Sequence, residues 1–244
     1  MAGISQDIRL ATLLVLSCRL YTVDVGDSQR YVSRELIMKF LVIILSMLLG
    51  SASVKADTFA KALEAAAMAR TAENVTYDGS YMKIPYPNGD VPSNVGVCTD
   101  VVIRSYRKLG IDLQRLLHED ISSNFDSYPS KRIWGLNRAD KNIDHRRVPN
   151  LQTFFKWHGT TLKITDNGFD YGAGDIVTWM LPGNLPHIGI VTSKKSTDGK
   201  RPLVVHNIGA GPKLEDMLFH YKVTGHYKFG SIPAEDSTPL HPGR

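Results

Sequence analysis

Cys98, His187 and His206 are the residue types that together can break an acyl bond. A cysteine thiolate is a strong nucleophile, an imidazole can take its proton and return it to a leaving group, and a second polar group can orient that imidazole. Cys98 is followed by Val101, Val102, Ser105, Tyr106 and Leu109 at helical spacing, and Gly110 supplies a stop. It therefore opens a helix, where unpaired backbone N–H groups and the positive end of the dipole gather. A thiol so placed is expected to ionise below its usual pKa of about 8.5, and the same N–H groups can hold an oxyanion. His187 opens the β-rich run Pro186-His187-Ile188-Gly189-Ile190-Val191, and His206 closes the next, Leu203-Val204-Val205-His206. A hairpin between these runs brings a second group beside His187. Side chains alternate across a strand, so only one of His206 and Asn207 faces it, and a one-residue register change exchanges them.

Zinc is the chemical rival, because Cys98, His187 and His206 are all ligand types. No His-Glu-x-x-His or Cys-x-x-Cys spacing supports it, and neither a metal nor a cofactor is expected. In Asp144-His145-Arg146-Arg147 the two guanidinium groups suit bidentate capture of a carboxylate, or else a network that fastens loops. Gly209-Ala210-Gly211 lacks the Gly-Lys-Ser/Thr ending of a phosphate loop and reads as a turn.

The elements that must position these groups follow from periodicity. Phe59, Leu63, Ala66 and Ala67 have helical spacing, and Pro149, Leu151, Phe154, Phe155 and Gly159 outline another helix. Residues 76–97, rich in Tyr, Pro, Gly and Asn, read as an ordered loop. Strands are expected at 175–180, 187–192, 203–207 and around 226–229. Helices first and an antiparallel meander afterwards make an α+β domain over 57–230.

Upstream, Met38-Lys39 precedes the apolar run Phe40 to Leu49 and then Gly50-Ser51-Ala52-Ser53-Val54-Lys55-Ala56. That is the pattern of a secretory signal peptide at 38–56, cut before Asp57, with 1–37 an upstream extension or misplaced start. The apolar run is shorter than the roughly 20 residues that span a bilayer, so no stable membrane span is expected in the mature form. Residues 231–244 read as a flexible tail. Removing the leader takes Cys18 with it, so of two cysteines only Cys98 remains, in a compartment that oxidises paired thiols. It also removes more basic than acidic residues, so the formal +5 overstates the mature charge. With no Lys/Arg run, nucleic acid is not an expected partner. A chain 43% hydrophobic and 22% charged is ordinary for a globular protein and excludes collagen-like and disordered classes.

Gly96-Val97-Cys98-Thr99-Asp100-Val101-Val102, Gly174-Asp175-Ile176-Val177, Pro186-His187-Ile188-Gly189-Ile190-Val191 and Val205-His206-Asn207 resemble the motifs of NlpC-type papain-like cysteine peptidases. Asn142-Ile143-Asp144-His145-Arg146-Arg147-Val148-Pro149-Asn150-Leu151 and His206-Asn207-Ile208-Gly209-Ala210-Gly211-Pro212 resemble more closely the YijF-like secreted bacterial family, of unknown function, in the same superfamily. The likeness covers roughly residues 60–230. It implies a papain-like NlpC-type fold with N-terminal helices packed on an antiparallel sheet. It also implies Cys98 as nucleophile, His187 as base and His206 as the orienting residue, with Tyr86 a candidate for assisting the oxyanion. Asp100, Arg146, Arg147 and Asn207 are further candidates for substrate or oxyanion contacts. The commoner pattern has Asp before the cysteine and Ser-Gly after it. Val97 and Thr99-Asp100 depart from that, which bears on specificity more than on the nucleophile. The resemblance thus implies a secreted, periplasmic cysteine hydrolase of amide bonds in peptidoglycan peptide. A cell-wall peptide-binding module without catalysis is the alternative, as is an acyltransferase or thioesterase using the same Cys-His pair.

Overall fold

The computed structural model describes residues 39, 41–42 and 57–230. The chain divides into two units, 1–50 and 51–244. Within the first, residues 39 and 41–42 are helical. The upstream stretch 1–37, the remainder of the leader and the tail 231–244 lie outside the described residues. Among the described residues no helix is long and apolar enough to cross a membrane.

The second unit begins with a helical run at 57–70 (α1). A two-stranded parallel ladder follows, β1 (Thr76–Tyr77) with β2 (Val95–Gly96), inside the segment whose composition suggested only a loop. Then come α2 (Cys98–Lys108), α3 (Leu113–Ser123), α4 (Ser130–Trp134) and α5 (Val148–His158). Asp112 caps α3 by accepting the Arg115 N–H at 3.2 Å. Pro149 stands in the first turn of α5, where its missing N–H costs nothing.

The remaining strands are β3 (Thr160–Thr161), β4 (Ile176–Leu181), β5 (Leu185–Lys195), β6 (Pro202–His206), β7 (Lys213–Glu215) and β8 (Lys222–Lys228). They form one antiparallel sheet in the order β3-β8-β4-β5-β6-β7. The expected meander holds from β4 to β7. The chain then returns so that β8 pairs with the free side of β4 and meets β3 beyond it. The architecture is therefore α+β, with helices packed on an antiparallel sheet.

Alternation along the strands divides the sheet into two faces. Ile176, Ile188, Ile190, Val205 and Tyr227 turn toward the helices and pack with Leu63, Val102, Tyr106, Leu151 and Phe155. Each such aliphatic or aromatic side chain contributes about 1.5–3 kcal/mol by leaving water. The opposite face carries Val177, Trp179, Val191 and Val204 under Tyr171, Met217 and Leu218. Trp179 satisfies its buried ring N–H by donating to the Leu218 carbonyl at 2.8 Å. α2 lies on β5 and β6, which brings its first residue to the open end of β6.

Candidate active site

Cys98 is the first residue of α2, and Val97 precedes it in extended conformation. Asp100, three residues after Val97, turns back to accept the Val97 N–H at 2.6 Å and fixes the entry to the helix. β6 ends at His206, opposite Gly189, so the Ile188 N–H has no β6 partner. That N–H lies against the Cys98 sulfur instead, together with those of Thr99 and Cys98 itself. Burial nevertheless pushes the thiol up to about 12, because desolvation of a thiolate outweighs what these three dipoles return. The expectation of a thiol ionising below its ordinary range is thus corrected. It counted the helix N-terminus and not the depth of the sulfur, which is 5% exposed.

His187 immediately precedes Ile188, and register decides its neighbour. Because Gly189 is cross-strand from His206, His187 and His206 leave the same face of the sheet, and Asn207 does not share it. His187 Nε2 and His206 Nδ1 are 3.0 Å apart, with the rings perpendicular and Trp179 packed against His187. A Cβ on Gly189 would stand 2.8 Å from both Val204 Cγ1 and the Val205 carbonyl oxygen, so glycine is what lets β6 approach closely here. Burial, reinforced by the neighbouring His206, lowers His187 to about 3, so its imidazole is neutral. Its Nδ1 has no hydrogen-bond partner among the described residues, and no hydrogen bond joins it to the Cys98 thiol. Neither His187 nor His206 lines the pocket beside the thiol, and both side chains leave the sheet face that does not pack on the helices. On the far side, His206 Nε2 lies 3.0 Å from Glu215 Oε2 on β7. The contact is close but off the N–H···O axis, and Nε2 has no better-aligned partner.

A cleft of about 240 Å³ opens beside the thiol, lined among others by Tyr77, Cys98, Trp134, Arg147 and Pro186. Tyr77, not Tyr86, is the tyrosine here. Burial raises its hydroxyl to about 12, with Cys98 and Asp100 adding to the shift. Tyr86 packs edge-on against His118, 5.0 Å between ring centroids, with Lys141 over its face, and does not line the cleft. Composition offers no means of choosing among the three tyrosines of this segment, Tyr77, Tyr81 and Tyr86. The signal lies in the β1–β2 ladder, which sets Tyr77 opposite Gly96, two residues before Cys98.

The two arginines separate. Arg146 is buried and spends Nε and Nη2 on Asp100 at 3.0–3.3 Å, Nη2 again on the Asp78 carbonyl and Nη1 on that of Ser80. Asp100 and Arg146 thus form a structural fastening between α2 and the loop after Tyr77 and are not available to a substrate carboxylate. Arg147, which lines the cleft, stacks 4.2 Å over Trp134 and gives one bond to Asp144, so its other guanidinium donors are not committed to side chains among the described residues. Asn207 is buried, and its side-chain oxygen accepts the Gly209 N–H at 3.0 Å, making a turn. It faces a narrow gap behind Val97 rather than the cleft. Among the described residues no three of His, Cys, Asp and Glu are grouped as a metal ion requires.

Residues 64–229 match the family described as "Domain of unknown function (DUF1287)". Over 153 residues the chain is 53% identical to the "Uncharacterized protein YijF" of Escherichia coli (strain K12), covering 63% of this chain and 73% of that one. The family match includes Cys98, Tyr77, both histidines and Glu215.

Proposed function

The chain belongs to the family of domains of unknown function DUF1287, with the YijF protein as a relative, and from that premise we propose that it is a secreted cysteine hydrolase with a papain-like NlpC-type fold. Its substrate is an amide bond in peptidoglycan peptide, met in the periplasm. The observation that carries the reading is the Cys98 sulfur against the Ile188 N–H, one residue from His187, which is itself bonded to His206 at 3.0 Å.

Cys98 Sγ attacks the amide carbonyl while its proton passes to His187 Nδ1. The carbonyl oxygen takes up the negative charge, stabilised by N–H groups at the start of α2 and by the Tyr77 hydroxyl. Collapse breaks the C–N bond, and His187 returns the proton to the departing amine. Water, deprotonated by the same imidazole, then cleaves the thioester and restores the thiol. Arg147, as a lining residue with uncommitted donors, favours a peptide carrying a free carboxylate near the scissile bond. Cell-wall peptides have that chemistry.

The test incubates the protein beginning at Asp57, and its Cys98→Ala variant, with defined muropeptides and resolves products by mass spectrometry. A new product made by the wild type and absent with Cys98→Ala is expected. Muropeptide binding without turnover, unchanged in Cys98→Ala, would replace the enzyme with a binding module. No product together with no labelling of Cys98 by a thiol-directed acylating probe would overturn the hydrolase.

A further inference from the structure

We propose that Glu215 is a positioning residue that sets the tautomers of both imidazoles and leaves His187 Nδ1 with the lone pair that a base needs. The inference rests on the Cys98–His187 reading above and extends it to a residue outside the triad.

The argument is one of proton counting. A neutral imidazole has one N–H and one lone pair, so the 3.0 Å contact between His187 Nε2 and His206 Nδ1 admits two arrangements. In one, His206 donates from Nδ1. His187 Nε2 is then the acceptor, its proton sits on Nδ1, and the nitrogen left for the thiol has no lone pair. In the other, His187 donates from Nε2, and its Nδ1 can accept the thiol proton. The second requires His206 to carry its own proton on Nε2. A carboxylate has only acceptors, and Glu215 Oε2 lies 3.0 Å from that nitrogen. Glu215 therefore selects the arrangement in which His187 can act as a base.

The position follows from the register. β7 pairs His206 with Lys213 and Val204 with Glu215, so Glu215 is the diagonal neighbour of His206 on the imidazole face. Lys213 is exposed and, having only donors, would favour the wrong tautomer if it took Glu215's place. β4 contributes no titratable side chain to this face, and the lysines of β5 stand at its other end. On the thiol side the titratable neighbours are Tyr77 and Asp100. When His187 takes the thiol proton it becomes an imidazolium, and the Glu215 charge stabilises it through His206, whose pKa burial lowers and Glu215 partly restores.

The test compares wild type, Glu215→Ala, Glu215→Gln and His187→Ala by two readouts that need no substrate. Long-range ¹H–¹⁵N spectra of the imidazoles should show Nε2–H on both His187 and His206 in the wild type, and a gain of Nδ1–H on His206 in Glu215→Ala. The rate of Cys98 alkylation by iodoacetamide, followed from pH 6 to 9, should fall about tenfold at pH 7 in Glu215→Ala. That is well short of the ~10⁴-fold lost when a buried triad carboxylate is replaced, because Glu215 is half-exposed and water partly stands in for it. Glu215→Gln keeps an acceptor for the His206 N–H and should stay within about threefold of wild type. If Glu215→Ala matches wild type in both readouts while His187→Ala slows alkylation, the proposal fails and the Cys-His reading stands. If His187→Ala leaves alkylation unchanged, the underlying reading fails.

Discussion

Replacing Asp100 by alanine should cost the protein its stability before it costs any substrate contact. The carboxylate makes three bonds to Arg146, from Nε at 3.1 and 3.3 Å and from Nη2 at 3.0 Å, and the two side chains are 4% and 2% exposed. It also accepts the Val97 N–H at 2.6 Å. Removing one partner of a buried ion pair costs about 3–5 kcal/mol, since the remaining charge stays out of water. Loss of the helix-entry bond adds roughly 1 kcal/mol. Arg146 retains the Asp78 and Ser80 carbonyls, which offsets the added bond and leaves a cost at the lower end of the ion-pair range, about 3 kcal/mol. For a domain of this size that is a fall in Tm of roughly 6–12 °C. Calorimetry or urea titration of Asp100→Ala measures it. A second variant makes the cause specific. Asp100→Ala combined with Arg146→Met removes the stranded guanidinium and should be more stable than Asp100→Ala alone. A Tm change below about 2 °C, or a double variant as unstable as the sum of its parts, would refute the reasoning.

Acid should unfold the protein below neutrality. Burial holds His187 and His145 at about 3 against 6.5 when unfolded, so from pH 6.5 downward the unfolded chain binds protons that the folded chain refuses, and stability is lost until about pH 3. Asp144, raised to about 6 by burial, works in the opposite direction as it takes a proton below that pH, but it is one smaller shift against two larger ones. The urea midpoint should drop between pH 7 and pH 4, and an unchanged midpoint would contradict it. Tyr77→Phe should lower kcat about 100-fold on a cleaved muropeptide with little change in KM, the usual loss for one oxyanion donor. A rise in KM alone would make Tyr77 a binding residue. Arg147→Ala should raise KM about tenfold for a peptide with a free carboxylate and leave its amidated form unaffected, measured by steady-state kinetics on the pair.

How far the sequence went depended on whether a residue's role is local. Cys98 at a helix start was legible because five apolar or small residues follow it at one period, and the strands of His187 and His206 because β-rich runs flank them. The choice between His206 and Asn207 was not, since it turns on the pairing of Gly189 with His206, a fact of register that alternation alone leaves open. Glu215 escaped for the same reason: it meets His206 diagonally across two strands whose alignment no local pattern reveals. Asp100 and Arg146 have the composition of a ligand site and became a fastening. A buried guanidinium must find acceptors, and the Asp78 and Ser80 carbonyls that serve follow directly on β1, whose pairing with β2 no local pattern shows. The return of β8 to β4 was hidden because a short strand carries no mark of which edge it will join.

The electrostatics of the site also say what the proposed chemistry has to overcome. With the thiol up at about 12 and His187 down at about 3, the resting pair is neutral, and proton transfer between them is uphill. Both shifts have burial as their first cause, so they cannot be relieved by hydration without opening the site. Fixed dipoles and charges must instead stabilise the separated pair. The N–H groups of Ile188, Thr99 and Cys98 favour the charged form of the sulfur, and Glu215 backs the imidazoles from the other side. A substrate carbonyl adds the missing element, because attack turns the thiolate into a thioether while its negative charge moves to an oxygen within the donors' field. The thiol is then never required as a free thiolate. Activity should accordingly persist at pH values where alkylation of the empty site is slow, and the two pH profiles should differ in position. Coincident profiles would mean that a preformed thiolate does the work and that burial does not govern Cys98.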